Sequence, residues 1–161
     1  MLNNCFSGFS RNRISLQLKA LLLTVAIACT SLALADTQPV VEVWKTPTCG
    51  CCGKWVTHME DAGFKVRVTD LDNLDAVKHK HGISPALSSC HTAVVGNYVI
   101  EGHVPASDVR RLLKEHPDVL GLTAPGMPAG SPGMDIPDSP SFDVLAINKD
   151  GSTTVYSTHK P

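Results

Sequence analysis

The chain has 161 residues, with 14 lysines and arginines against 15 aspartates and glutamates, and a formal net charge of −1. Its first 35 residues hold three of the basic residues and no acidic one, so the remaining 126 (161 less 35) carry a net charge of −4 (11 basic against 15 acidic). This balance excludes a large basic face that follows a phosphate backbone, and we expect no nucleic-acid partner. A length of 126 residues is typical of one domain.

The first 35 residues predict a secretory signal peptide. Basic residues precede the apolar run Ala20–Ala28, and Ala33-Leu34-Ala35 has the A-x-A pattern of a cleavage site. The run is shorter than the ~20 residues of a membrane span and no later stretch qualifies, so we expect no membrane association in the mature form. Lipidation of Cys29 is the alternative. We therefore predict that the signal peptide is cleaved after Ala35 and that the mature protein is located in the periplasm.

The predicted elements that follow alternate between strands and helices. Apolar β-branched runs predict strands, and apolar residues three and four apart predict helices. In chain order, the elements are strand Val40–Lys45, helix Lys54–Ala62, strand Phe64–Asp70, helix Asn73–His81, strands His91–Val95 and Tyr98–Gly102, and a helix between Pro105 and Pro117. This β-α-β-α-β-β-α order is the thioredoxin arrangement. We therefore predict an α/β protein with a thioredoxin-like domain over residues 36–120.

Residues 121–161 are predicted to form a C-terminal extension that packs on the same domain. Residues 121–140 contain five prolines and four glycines, a composition that we expect to form neither helix nor sheet. Residues 142–148 and 153–157 predict a terminal β-hairpin around Asp150-Gly151. Met127 and Met134 have little reason to pack in a core from such a loop, which makes both candidate metal ligands.

Three of the four cysteines that remain after cleavage fall in Cys49-Gly50-Cys51-Cys52, between the first strand and the first helix. One disulfide can use only two of three adjacent thiols. At least one sulfur is therefore left for a metal, for disulfide exchange or for the distant Cys90. A helix N-terminus also favours the thiolate. The chemistry of the chain is predicted to lie at this turn.

Two interpretations of the cysteines differ in what Cys51 does. Cys49 and Cys52 have the spacing of attacking and resolving thiols, which would make them the catalytic residues of a dithiol oxidoreductase. Cys51 would compete with them for pairing. In a metal-thiolate cluster it would instead be a ligand, and sulfur donors select Cu(I). Structural disulfides alone are a third interpretation, whereas the spacing fits zinc and Fe–S sites less well.

Cys90 favours the metal interpretation. In a thioredoxin-like fold the segment that enters the third strand passes beside the first helix, so Cys90 is expected to face the other cysteines. That segment also lacks the proline with which thioredoxins bind a substrate backbone. Strand alternation is expected to turn His91 away from Cys90, and His58 is expected to be exposed. His103, where the hairpin returns to the last helix, is a candidate ligand.

Four spaced motifs resemble the CopG family of exported copper-resistance proteins. They are Cys49-Gly-Cys51-Cys52-Gly-Lys-Trp55, Ser89-Cys90-His91-Thr92-Ala93-Val94-Val95, Glu101-Gly102-His103-Val104-Pro105 and Pro125-Gly126-Met127-Pro128-x-Gly-Ser-Pro-Gly-Met134. The resemblance implies a thioredoxin-like domain whose extension helps to bind metal, and a cysteine-bridged multinuclear copper cluster. Carried over by position, Cys49, Cys51, Cys52 and Cys90 match the cluster cysteines. The resemblance also implies that the protein interconverts Cu(I) and Cu(II) in support of copper efflux.

The sequence thus leads to one main functional hypothesis and two alternatives. The main one is an exported copper-binding protein, possessing a thiolate cluster of several copper ions, that interconverts Cu(I) and Cu(II) and acts with a periplasmic copper-efflux system. One alternative is a periplasmic thiol–disulfide oxidoreductase that uses Cys49 and Cys52. The other is a copper chaperone without redox turnover. No feature predicts self-association, and we expect a monomer.

Overall fold

The computed structural model describes residues 39–160, so the predicted signal peptide lies outside the described residues. The elements are β1 (Val41–Lys45), α1 (Gly50–Asp61), β2 (Val66–Asp70), α2 (Asp75–Lys80), a 3-10 turn (Pro85–Leu87), β3 (His91–Val95), β4 (Tyr98–Gly102), α3 (Ala106–Glu115), β5 (Gly121–Ala124), β6 (Phe142–Ile147) and β7 (Thr153–His159). Within residues 39–160, no helix combines the length and the apolar character that crossing a bilayer requires.

All seven strands form one mixed sheet in the order β2-β1-β3-β4-β5-β6-β7. The β1–β2 and β4–β5 pairs are parallel, and the other four pairs are antiparallel. The predicted α/β class is confirmed, and so are the element order through α3 and the terminal hairpin. The carboxyl end of β1 and the amino end of β3 lie side by side, because Lys45 pairs with His91.

The main core lies between the sheet and the helices α1 and α3. Alternate residues of the strands face these helices, as strand periodicity requires. Trp55 and Met59 of α1 and Leu112 of α3 are fully buried there. Trp55 also donates a hydrogen bond from Nε1 to the Val104 carbonyl at 2.8 Å, so its one polar atom is satisfied. The N-terminal half of α1 is therefore fixed against the segment that follows β4.

Two predictions differ from the structure by more than two residues. Helix α1 begins at Gly50 rather than Lys54, because Cys49 is the N-cap and the helix includes Cys51 and Cys52. The glycines of the motif concealed this start, since their helix propensity is low. Residues 121–124 were expected to be irregular but form β5. At Gly121 a side chain would overlap the Val99 backbone, so this glycine permits close strand pairing instead of preventing it.

Candidate metal centre

The three clustered cysteines lie where β1 leads into α1. Cys49 has extended backbone angles, and its Sγ accepts a hydrogen bond from the Cys52 N–H at 3.3 Å, as a helix N-cap does. Cys49 and Cys52 form a disulfide with Cα atoms 5.3 Å apart. Cys51 remains a free thiol, and its Sγ lies 3.5 Å from that of Cys49. The spare sulfur predicted from the motif is therefore present at the turn.

The structure brings Cys90 to the same place. Cys90 directly precedes β3, and the sulfur atoms of Cys49, Cys51, Cys52 and Cys90 all lie within 4.8 Å of one another. The Cys52 Sγ is 3.7 Å from the carbonyl oxygen of Cys90, 38 residues further along the chain. The expectation that Cys90 faces the cysteine turn is confirmed. Once the Cys49–Cys52 disulfide is reduced, four sulfur atoms this close together form a donor set suited to a soft metal ion.

His103 faces Cys90 with its tautomer set by the extension. Its Nδ1 lies 2.7 Å from the carbonyl oxygen of Pro132, and a carbonyl can only accept, so Nδ1 carries the proton and donates. In the neutral ring Nε2 then presents a lone pair. That atom is 2.9 Å from the Cys90 Sγ. His103 is fully buried, which makes it a preorganised nitrogen donor beside the sulfurs.

His91 is the residue whose place the sequence reasoning missed. It was expected to point away from Cys90, but its Nδ1 lies 3.4 Å from the Cys90 Sγ. Strand alternation does not govern this pair, because β3 begins at His91 and Cys90 lies in the bend before it. His91 is fully buried, with its ring centroid 4.4 Å from that of Trp55 and 5.0 Å from that of His103. His91, His103 and Cys90 thus form a second donor group that shares one sulfur with the first.

Burial sets the protonation states of these groups. Removal from water, followed by the nearby Cys51 side chain, raises the pKa of the Cys90 thiol to about 12. Burial also lowers the pKa of His103, although the Pro132 carbonyl and Asp135 partly oppose it. The pKa of His91 falls well below its ordinary value, first through burial and then through His103 and Lys78. Near neutral pH the site contains a protonated Cys90 and two neutral imidazoles.

The C-terminal extension closes one side of the site. A Cβ atom on Gly133 would lie 2.7 Å from the Cys51 carbonyl oxygen and 2.9 Å from the backbone nitrogen of Trp55. The extension therefore lies directly on the start of α1. Met134 follows and is half-buried, while Met127 is 41% exposed with a positive φ of 57°. Their assignment as ligands stays a prediction.

Comparisons with known proteins identify the family of the chain. The family model described as "Protein of unknown function, DUF411" matches residues 87–134, which include Cys90, His103 and Met134. No curated protein matches the chain. Two solved structures, called "Copper resistance protein copG" Form 1 and Form 2, each share 36% sequence identity with it at a TM-score of 0.72. These matches cover 77% and 76% of this chain and 99% of each solved chain. The chain therefore belongs to the CopG family of copper resistance proteins.

Proposed function

We propose that this chain is an exported copper-binding protein that holds several copper ions through Cys49, Cys51, Cys52 and Cys90. One observation carries the proposal: these four sulfur atoms, supplied by two distant segments, lie within 4.8 Å of one another. Thiolates prefer Cu(I), and a thiolate can bridge two ions when its neighbours are this close. The likeness to copper resistance proteins supports copper as the metal.

The other predicted donors complete the set. His103 would supply a neutral imidazole nitrogen from beside Cys90, while Met127 and Met134 would supply thioether sulfurs from the extension. Thioether and imidazole donors both suit copper. Because Gly133 lies against the cysteine turn, the methionine next to it in sequence is within easy reach of the site, and the exposed Met127 would meet copper that arrives from solvent.

The disulfide supports a redox role for the same cysteines. When the Cys49 and Cys52 thiolates join as a disulfide they release two electrons, which is enough to reduce two Cu(II) ions to Cu(I). An external dithiol that returns two electrons to the disulfide would restore both thiolates. The protein would thereby interconvert Cu(II) and Cu(I), and a copper-efflux system would remove the product. The predicted signal peptide places this activity in the periplasm.

The same disulfide favours a second candidate function, general thiol–disulfide exchange by Cys49 and Cys52. An attacking cysteine at a helix N-cap, with its partner three residues later, is the arrangement that dithiol oxidoreductases use. Cys51 distinguishes the two functions, because exchange does not need it and a bridged cluster does. A chaperone without redox turnover would bind copper but leave its oxidation state unchanged.

Metal analysis of the reduced protein tests the proposal. The chain is loaded anaerobically with Cu(I), and copper is counted per chain after removal of excess metal. We expect more than one ion per wild-type chain and a lower count for Cys51→Ser. His79→Gln, which replaces an exposed histidine of α2, is the control for a mutation away from the sulfurs. A Cys51→Ser protein that loads copper like the wild type and reduces insulin disulfides would establish the exchange function instead.

A further inference from the structure

A buried carboxylate, Glu101 of β4, lies beside the segment that carries Cys90. Its side chain is fully buried. Its Oε1 accepts hydrogen bonds from the Ser89 backbone N–H at 2.6 Å and from the Lys78 ammonium at 2.5 Å. Its Oε2 accepts a third from the Thr92 hydroxyl at 2.6 Å. The donors belong to α2, to β3 and to the segment before β3.

We propose that Glu101 is a positioning residue: it holds the backbone N–H just before Cys90 and the Thr92 hydroxyl just after it, and so determines where the Cys90 sulfur lies. Ser89 directly precedes Cys90, and Thr92 follows two residues after it. One carboxylate therefore ties the irregular backbone before the cysteine to the strand that begins after it. The inference rests on the proposed copper site, because it names the residue that keeps one of the proposed ligands in place.

The backbone before Cys90 needs such an anchor because no strand holds it, whereas β3 begins directly after Cys90. Ser89 lies between the 3-10 turn and β3, so sheet pairing does not satisfy its N–H. A buried N–H without an acceptor is costly, and a charged acceptor binds it about twice as strongly as a neutral one. The segment also lies directly on β4, because a Cβ atom on Gly102 would overlap the Ser89 side chain. Glu101 thus holds the backbone of Cys90, while His103, two residues later, faces its sulfur.

Stability alone does not explain a charge at this position. The Lys78 side chain is only 11% exposed, and Glu101 is not exposed at all. Replacing a buried ion pair with apolar residues of similar size is often neutral or stabilising. The double variant Lys78→Met, Glu101→Met is therefore expected to stay folded. It nevertheless removes the acceptor for both Ser89 and Thr92, which separates the positioning role from the fold.

The first test needs no metal. The full chain, with its disulfide intact, is treated with a limiting thiol alkylator, and Cys51 and Cys90 are followed separately by peptide mass spectrometry. We expect Cys90 of the double variant to react about tenfold faster than in the wild type, because the unanchored segment opens more often. Cys51 should react at its wild-type rate. Thr92→Val, which removes one anchor and no charge, should accelerate Cys90 by a smaller factor.

The second test measures Cu(I) affinity of the reduced chain by competition with a chromophoric chelator. Changes around metal ligands typically weaken binding 10- to 100-fold, and we expect about tenfold for the double variant. Ile147→Ala is the control, since Ile147 is fully buried in the cluster around Val99 on the sheet face opposite the main core. It should destabilise the fold and change neither readout.

Three results would overturn the inference. The first is a wild-type rate of Cys90 alkylation in both the double variant and Thr92→Val. The second is a wild-type Cu(I) affinity in the double variant. The third is an Ile147→Ala protein whose Cys90 alkylation rate and Cu(I) affinity change as much as those of the double variant. If wild-type protein binds no copper, the proposed function fails. The alkylation of metal-free protein then still decides whether Glu101 positions Cys90.

Discussion

The Nε2 atom of His103 lies 2.9 Å from the Sγ of Cys90, although thirteen residues separate the two in sequence. The contact depends on the extension, because the Pro132 carbonyl occupies the other ring nitrogen. A loop that was expected only to contribute methionines therefore also orients an imidazole.

His103→Gln should weaken Cu(I) binding about tenfold, because the side chain that replaces the imidazole lacks its nitrogen donor. Competition with a Cu(I) chelator measures the effect. The matched control is His79→Gln, since His79 is an exposed histidine of α2. An affinity of His103→Gln within twofold of that of the control would show that His103 only forms hydrogen bonds here.

Gly133→Ala should displace the extension from α1. The positive φ of 87° alone costs a residue with a Cβ about 1–3 kcal/mol, and the new methyl group also meets the Cys51 carbonyl. Gly151→Ala is the control, because Gly151 has a φ of 85° and open space around it. Urea denaturation should therefore show a larger loss of unfolding free energy for Gly133→Ala. Equal losses for the two variants would mean that the extension does not press on the cysteine turn.

Met134→Leu and Met127→Leu should each lower Cu(I) affinity, since leucine keeps the apolar volume and removes the thioether. Met59→Leu is the control, because Met59 is a fully buried core residue of α1. Its substitution should cost less than about 1.5 kcal/mol of stability and leave copper binding unchanged. Chelator competition on all three proteins checks this, and identical affinities would remove both methionines from the ligand set.

The stability of the metal-free protein should fall as the pH drops below about 6.5, partly because of His58. Its Nε2 accepts the N–H of Ala106, the first residue of α3, at 3.0 Å. Burial lowers the pKa of His58 below its ordinary value of 6.5, while Asp135 and Asp61 oppose the shift. The unfolded chain thus takes up the proton first, so acidification favours unfolding.

His58→Gln keeps a side-chain oxygen as acceptor and cannot titrate. Chemical denaturation between pH 7.5 and pH 5.5 should give this variant a shallower decline in unfolding free energy than the wild type. His79→Gln should retain the wild-type decline. An unchanged slope in His58→Gln would show that other groups, such as the buried His91, govern the acid sensitivity.

Periodicity was sufficient to predict most of the fold. The hairpin strands β3 and β4 have the predicted bounds, because each is a short apolar run and Gly96-Asn97 forms the turn between them. The ends of helices were harder to predict, since α1 begins inside a glycine-containing motif that is typical of a loop. The strand β5 was missed because a pairing partner, not local propensity, determines its conformation.

The sequence also revealed the cysteines of the site but not their surroundings. Cys90 was placed correctly because topology brings the start of the third strand to the first helix. His58 was expected to be exposed but is half-buried, since its acceptor role depends on where α3 begins. Glu101 had one available signal, a charge directly after the apolar run Tyr98-Val99-Ile100 in the same strand, which indicates a buried carboxylate with partners.

Strand β5 makes the protein sensitive to C-terminal truncation. It pairs with β4 on one side and with β6 on the other, so residues 121–160 supply three of the seven strands. A chain cut at residue 120 would lose Pro132 and its hold on His103. It would also leave one side of β4 with bare amides and carbonyls, ready to pair with another copy. Shortened versions should aggregate rather than fold as a smaller form of the same protein.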